Sequence, residues 1–299
     1  MALGSWRTYE RMSREDGVAV MRAAHEHGID FLDDARYNDE TGEAPISTGY
    51  SEVVFGELFR AVGWDRGEVT VANKLWWEFW PDQSAAEELD ASLRRMGLDH
   101  VDLIYSERPP RGLAMQELVE AVGGLISSGK ARVWGVLNWA AEEIADGTRA
   151  ATELGVPPPC AAQLAYSLVA RTPVEDPAVI DALAGAGASV VASYTLAGGT
   201  LTGKYANGDA GGRMADARDD PAWQAAFKAG AELRQIATEL GRSPAALAIA
   251  FALANPIVCS VLFGATSPSQ IAQNLQAVEL LGELSGEELT LLQQIGTRD

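Results

Sequence analysis

Asp33, Lys74 and Glu107 each close a hydrophobic run. The runs are Phe31-Leu32-Asp33, Val69-Thr70-Val71-Ala72-Asn73-Lys74 and Val101-Asp102-Leu103-Ile104-Tyr105-Ser106-Glu107, and Tyr37 follows shortly after the first. Fully buried parallel strands read as apolar runs, and their carboxyl ends are where α/β barrels place catalytic groups. Two carboxylates, an ammonium and a phenol brought to one barrel mouth are the parts of an acid–base site. One charged residue at a strand end is most often a solvated loop residue. Three in consecutive strand–helix units point instead to one shared site.

The elements that would position these residues alternate along the whole chain. The pattern predicts strands at Ala2–Leu3, Ile29–Asp33, Val69–Lys74, Val101–Ser106, Ala131–Val136, Ala161–Leu164, Ser189–Ser193 and Cys259–Phe263. Helical patterns cover Glu15–His27, Glu52–Val62, Ala85–Met96, Gln116–Ser127 and Ala141–Leu154, then Pro177–Ala186, Trp223–Leu240, Pro244–Ala254 and Pro268–Leu280. Ser84, Ser267 and Ser285, each followed three residues later by Glu or Gln, fit the capping-box pattern. Pro244 and Pro268 stand where a first helical residue would. Eight strands alternating with helices imply parallel pairing and right-handed crossovers, most economically closed as an α/β (β/α)8 TIM barrel. No Pro-, Gly- or Ser-rich linker divides it, so residues 1–299 are read as a single domain. Two long polar loops, 38–50 and 206–221, each follow a strand and are expected over the catalytic face.

Composition narrows the partners. The chain of 299 residues is 47% hydrophobic and 22% charged, which is ordinary for a globular protein. It has no apolar run of about 18 residues. Its opening Met-Ala-Leu-Gly-Ser-Trp lacks the basic-then-apolar plan of a secretory signal, so a cytoplasmic location is expected. Cys160 and Cys259 lie far apart in apolar stretches and are expected to be buried free thiols. The three histidines have no metal-binding spacing. A net charge of −19 argues against nucleic acid and anionic membranes as partners. A small-molecule substrate and a homo-oligomer remain compatible. Any phosphate-bearing cofactor must be met by local basic residues or helix N-termini.

Several motifs, in order, resemble the aldo-keto reductase family. Gly28-Ile-Asp-Phe-Leu-Asp-Asp-Ala35 is similar to the family's Gly-x-Asn-Phe-x-Asp-Thr-Ala, and Ser51-Glu52-x-x-x-Gly56 to its next helix start. Gly129-Lys130 with Gly135-Val-Leu-Asn138-Trp139 resembles the Gly-Lys…Gly-Val-Ser-Asn-Phe/Trp segment. Leu201-Thr-Gly-Lys-Tyr205 and Gly264-Ala-Thr-Ser-x-x-Gln270-x-x-x-Asn274 resemble the branch that includes potassium-channel beta subunits. Leu3-Gly4-Ser5-Trp6 reads as the end of the first barrel strand, so the short hairpin that usually caps the barrel bottom is expected to be missing.

The resemblance implies hydride transfer from a nicotinamide to a substrate carbonyl, with a tyrosine giving the proton. It assigns Asp33 as the orienting carboxylate, Lys74 as the tuning cation and Tyr37 as the donor, with Tyr50 as the second choice. A phenol of pKa near ~10 needs such a cation to act at neutral pH. Glu107 falls where the family usually has His. That replacement resembles steroid 5β-reductases, which reduce a conjugated C=C bond, and a protonated Glu could polarise an enone carbonyl. For the cofactor, taken as NADPH, the resemblance points to Ser5 and Trp6 and to Asn138 and Gln163 at the carboxamide. Tyr194 would stack, and Lys204 and Arg213 would meet phosphate. Gly264, Thr266, Ser267, Gln270 and Asn274 would line the start of an anion-binding helix. Leu75-Trp76-Trp77-Glu78-Phe79-Trp80 follows Lys74, so Trp76 and Trp77, with Tyr50, are expected beside an apolar or ring-shaped substrate. Two other functions stay open: a non-catalytic nicotinamide-binding regulatory subunit, and a hydrolase using Asp33 and Glu107.

Overall fold

Eight short runs, rich in residues that fit a buried pleated surface, form the strands. They are β1 Ala2–Gly4, β2 Phe31–Asp33, β3 Thr70–Leu75, β4 Val101–Ser106, β5 Ala131–Leu137, β6 Ala161–Ala165, β7 Ser189–Ser193 and β8 Val258–Phe263. Each pairs parallel with the next, and β8 returns to β1 through Ala2↔Leu262 and Leu3↔Phe263, closing the barrel. The helices are α1 Arg14–Glu26, α2 Tyr50–Val62, α3 Ala85–Met96, α4 Met115–Ser127, α5 Ala141–Leu154 and α6 Thr172–Glu175. They continue with α7 Pro177–Ala186, α8 Gln224–Leu240, α9 Pro244–Leu253, α10 Pro268–Glu283 and α11 Gly286–Gln293. The computed structural model describes residues 1–207, 214, 217 and 219–296. Within them the chain is a single-domain (β/α)8 TIM barrel.

All eight expected strands form, with ends displaced by no more than two residues. The short α6 has no periodic pattern to announce it. Ser84 and Ser285 make full capping boxes with Glu87 and Glu288. Ser267 does not cap α10: Gln270 Oε1 instead accepts from Thr266 N at 2.8 Å. The polar loop at its own N-terminus outbids the box, and the first N–H groups of α10 receive no side-chain oxygen.

Two apolar layers hold the barrel. Ala72, Leu103, Tyr105, Leu137, Ala161 and Val191 cluster together with Phe31, Trp76 and Leu262 against them, filling the barrel axis. The larger cluster fills the space between strands and helices and includes Leu32, Val71, Ile104, Trp134, Leu164 and Val261. Residues of the two clusters alternate along β3, along β4 from Leu103 and along β6, as the two-residue period of a strand requires. α9 is apolar all round, and Ala246 to Ala252 are buried, so its composition reflects depth in the core. Among the described residues no single helix is long and apolar enough to cross a membrane.

Both cysteines contradict the expected burial: Cys160 and Cys259 are exposed. Each lies at the amino-terminal edge of its strand, where the wall meets solvent. Apolar neighbours in sequence did not bury them, because successive strand residues face opposite ways.

Candidate active site

β2, β3 and β4 end side by side, with Asp33 paired to Ala72 and Lys74 paired to Tyr105. Asp33 and Lys74 therefore enter the same space above the axial cluster. Lys74 Nζ lies 2.6 Å from Asp33 Oδ2 and 3.4 Å from Tyr37 Oη. Gln163 Nε2, from β6, donates to the other Asp33 oxygen at 3.1 Å. Asp33 and Lys74 are 2% and 3% exposed, so the pair is withdrawn from water and made good by its own hydrogen bonds. The structure thus brings Asp33, Tyr37 and Lys74 together. Burial pushes the Tyr37 phenol well above the ordinary tyrosine value, and Asp33, Asp34, Glu10 and Glu52 add to it. The phenol therefore holds its proton.

Tyr50 is not part of this group. It opens α2, and its hydroxyl accepts from Arg14 Nη2 of α1 at 2.9 Å. Trp77 is also not at the mouth. It is 4% exposed, belongs to the helix-side core, and donates from Nε1 to Ser106 Oγ at 2.9 Å. Its positive φ of 59° turns the ring inward, a feature no local sequence signal announces. Trp76 does face the site: it packs on the axial cluster, with its ring centroid 6.1 Å from that of Tyr37.

Glu107 follows Tyr105 by one alternation, which places it above Lys74 on the axial side. Its carboxylate accepts from the Arg108 main-chain N–H at 3.2 Å. The Arg108 guanidinium is turned away, to the Asn138 carbonyl at 2.8 Å and to Glu143 at 3.2 Å. Desolvation raises the Glu107 carboxyl above the usual glutamate value, against the smaller opposing pull of Arg108.

The loop after β2 is fastened on both sides. Glu40 is paired with Arg7 and Arg11 from the loop after β1. Arg36, buried, donates to Thr48 Oγ1 and to Glu78 Oε2 at 2.8 Å each. The Arg36 bond is the main reason the Glu78 carboxyl falls below its ordinary value. Sequence reasoning missed Arg36, whose neighbours come from two different loops. It also missed Asp34, whose only signal is the doubled Asp33-Asp34.

The residues assigned to the cofactor ring the same mouth. Ser5 is buried and bonded to Asp34. Trp6, Tyr194 and Trp223 form a row, with ring centroids 6.2 and 6.1 Å apart. Asn138 is exposed at φ 55° with its N–H on the Gln163 carbonyl. Gln163 is buried and its amide nitrogen donates to Asp33. Lys204 is exposed and lies over the Tyr205 ring. Arg213 lies outside the described residues. After β8, a Cβ at Gly264 would stand 3.1 Å from Thr8 Oγ1, so this loop runs close beside that of β1. Thr266, Ser267 and Gln270 then open α10, and Asn274 is buried one turn further on. An uncapped helix start is a ready seat for an anion, so these residues fit a phosphate-bearing cofactor.

A parallel eight-stranded barrel carrying an Asp–Tyr–Lys group at its carboxyl mouth defines a class of barrel oxidoreductase. The chain belongs to the aldo/keto reductase family, whose model matches residues 1–297. Among its relatives are proteins named as voltage-gated potassium channel beta subunits. One from Schizosaccharomyces pombe is 33% identical across 98% of this chain and 88% of its own length. One from Oryza sativa is 30% identical across 99% and 92%, and one from Arabidopsis thaliana 29% across 99% and 92%.

Proposed function

We propose that this protein is an NADPH-dependent oxidoreductase of the cytoplasm that reduces a carbonyl or a conjugated enone of an apolar or ring-shaped small molecule. The observation that carries this reading is Lys74 Nζ, buried 2.6 Å from Asp33 and 3.4 Å from Tyr37 beside Trp76. When bound, the nicotinamide supplies the hydride. Tyr37 holds the proton that the substrate oxygen takes, Lys74 faces the charge left on the phenol, and Asp33 keeps Lys74 in place. Asn138 and Gln163 would hold the carboxamide. Ser267 and Gln270, with Lys204 and Arg213, would meet the phosphates.

Glu107 favours the enone. No basic side chain bonds its carboxyl among the described residues, because Arg108 is spent on Asn138 and Glu143. A carboxyl partly withdrawn from water keeps its proton more readily and can donate it to a carbonyl oxygen. Polarising an enone in that way makes its β-carbon the better hydride acceptor. The names of the relatives favour a second reading, a nicotinamide-binding regulatory subunit with no turnover of its own. A hydrolase would have no use for the uncapped helix start at Ser267.

The test is turnover and product analysis on cyclic enones and the matching saturated ketones, with NADPH binding followed by fluorescence. Tyr37→Phe should bind NADPH as wild type does and lose about 10²–10⁴-fold in turnover. Wild type should reduce the C=C bond, and Glu107→His should move activity toward the carbonyl. Tight NADPH binding with no turnover on any substrate would support the regulatory reading instead.

A further inference from the structure

Asp33 and Asp34 are neighbours in the chain with opposite surroundings. Asp33 is bonded by Lys74 and Gln163. Asp34 is fully buried and turned toward the loop after β1 and the start of α2. Its Oδ1 accepts from Ser5 Oγ and, at 2.7 Å, from Ser51 Oγ. Its Oδ2 is buried with no partner among the described residues, and the same holds for Tyr9 Oη. Lys74 Nζ reaches only the main-chain oxygen of Asp34, at 3.4 Å. Among the described residues no cation bonds this carboxyl.

The charged and titratable groups around it are mostly of its own sign. Glu52 faces it from α2, held at 2.9 Å by Asn73 and at 2.5 Å by Arg95 of α3. Asp33 and Tyr37 flank it on β2 and the following loop, Tyr9 and Glu10 lie on the turn after β1, and Lys74 comes from β3. A buried carboxylate with no cation is costly, and the neutral acid is the cheaper form.

We propose that Asp34 is a positioning residue for proton donation by Tyr37: neutral, it leaves Lys74 to Asp33 and the phenol, and ionised, it locks the proton onto Tyr37. The inference rests on the oxidoreductase reading above. Burial, then the Glu52 carboxylate, raises Asp34 to about 7, against the opposing bonds from Ser5, Ser51 and the Ala35 N–H. The Asp34 charge is also among those that raise Tyr37. A second buried anion therefore makes the phenol a weaker acid. Reduction should fail as Asp34 loses its proton.

The folded value of Asp34 lies above the ~3.9 of an unfolded aspartate, so the folded chain binds the proton more tightly. The stability from this group is complete below ~3.9 and is lost as pH rises toward 7. Asp34→Asn keeps an oxygen for both serines and removes the titration.

The experiment compares wild type, Asp34→Asn and Ser51→Ala in two ways. Melting temperature of the protein without substrate is followed from pH 4 to 8, and kcat for ketone or enone reduction over the same range. Wild type should lose stability relative to Asp34→Asn as pH rises above ~4, and its kcat should fall by up to about tenfold per pH unit once Asp34 loses its proton. Asp34→Asn should lack that fall. Ser51→Ala, which removes a bond to the ionised form, should move the midpoint to higher pH and covers the case in which Asp34→Asn does not fold. Parallel melting profiles in wild type and Asp34→Asn overturn the inference, as does a fall in kcat that the two share. Absence of turnover in wild type would instead overturn the oxidoreductase reading, and this inference with it.

Discussion

Both ends of the barrel turn through left-handed glycines, Gly49, Gly198 and Gly199 among them at the mouth, but among the described residues only the carboxyl end also puts non-glycine residues there. At the carboxyl end, Arg7, Trp77, Asn138, Tyr194 and Ala197 take positive φ, between 46° and 59°, and they are all the non-glycine residues that do so among the described residues. At the amino end, α3 and α7 turn toward their next strands through Gly97 and Gly187, at φ 70° and 69°. A left-handed residue with a Cβ costs roughly 1–2 kcal/mol, and glycine avoids that cost. The amino end is therefore built for stability. The carboxyl end tolerates strain to aim side chains such as Asn138 and Tyr194, and it also holds the buried Asp33, Asp34, Arg36, Lys74 and Glu88. Buried charge and backbone strain concentrate where the chemistry is proposed.

The sharpest way to break this contrast is Lys74→Met. It leaves Asp33 buried without its cation, so denaturant unfolding should show a loss of about 3–5 kcal/mol. Turnover should fall at the same time by about 10²–10⁴-fold. A fully stable Lys74→Met would mean that the carboxyl end stores no such tension.

A milder pair exchanges the two solutions. Gly97→Ala puts a Cβ at φ 70°, 2.5 Å from Arg60 Nη1, and should cost about 1–2 kcal/mol with NADPH binding unchanged. Asn138→Gly relieves a strained residue and should stay within about 0.5 kcal/mol of wild type in stability, while NADPH binding weakens about 3- to 10-fold. The reverse result, binding lost at Gly97 and stability lost at Asn138, would remove the division between the ends.

Least disruptive is Ser285→Ala. The Ser285–Glu288 box caps α11, away from the mouth, so melting should reveal a loss of about 1 kcal/mol and turnover should not change.

The alternation of apolar runs and amphipathic segments was enough to read the barrel, because strand and helix periods are written locally. Asp33, Lys74 and Glu107 were legible for the same reason: each lies within one residue of a strand's end, and parallel strands in a barrel deliver their ends to one face. The acidic balance and the motif order around Gly28, Asn138 and Gly264 likewise needed no structure. What the chain does at Trp77, Ser267 and the cysteines is decided by competing bonds and strand edges that composition and spacing do not rank. Trp77 is turned into the core by a backbone twist and a bond to Ser106. Ser267 loses its box because Thr266 takes Gln270. Cys160 and Cys259 are exposed because of where their strands begin. Only the tertiary structure sets the Tyr37 hydroxyl beside Lys74 and the Tyr50 hydroxyl on Arg14. It alone separates Asp33 from Asp34. The two are the same residue type, one position apart, but only the Asp33 carboxylate is bonded by the lysine that arrives from another strand.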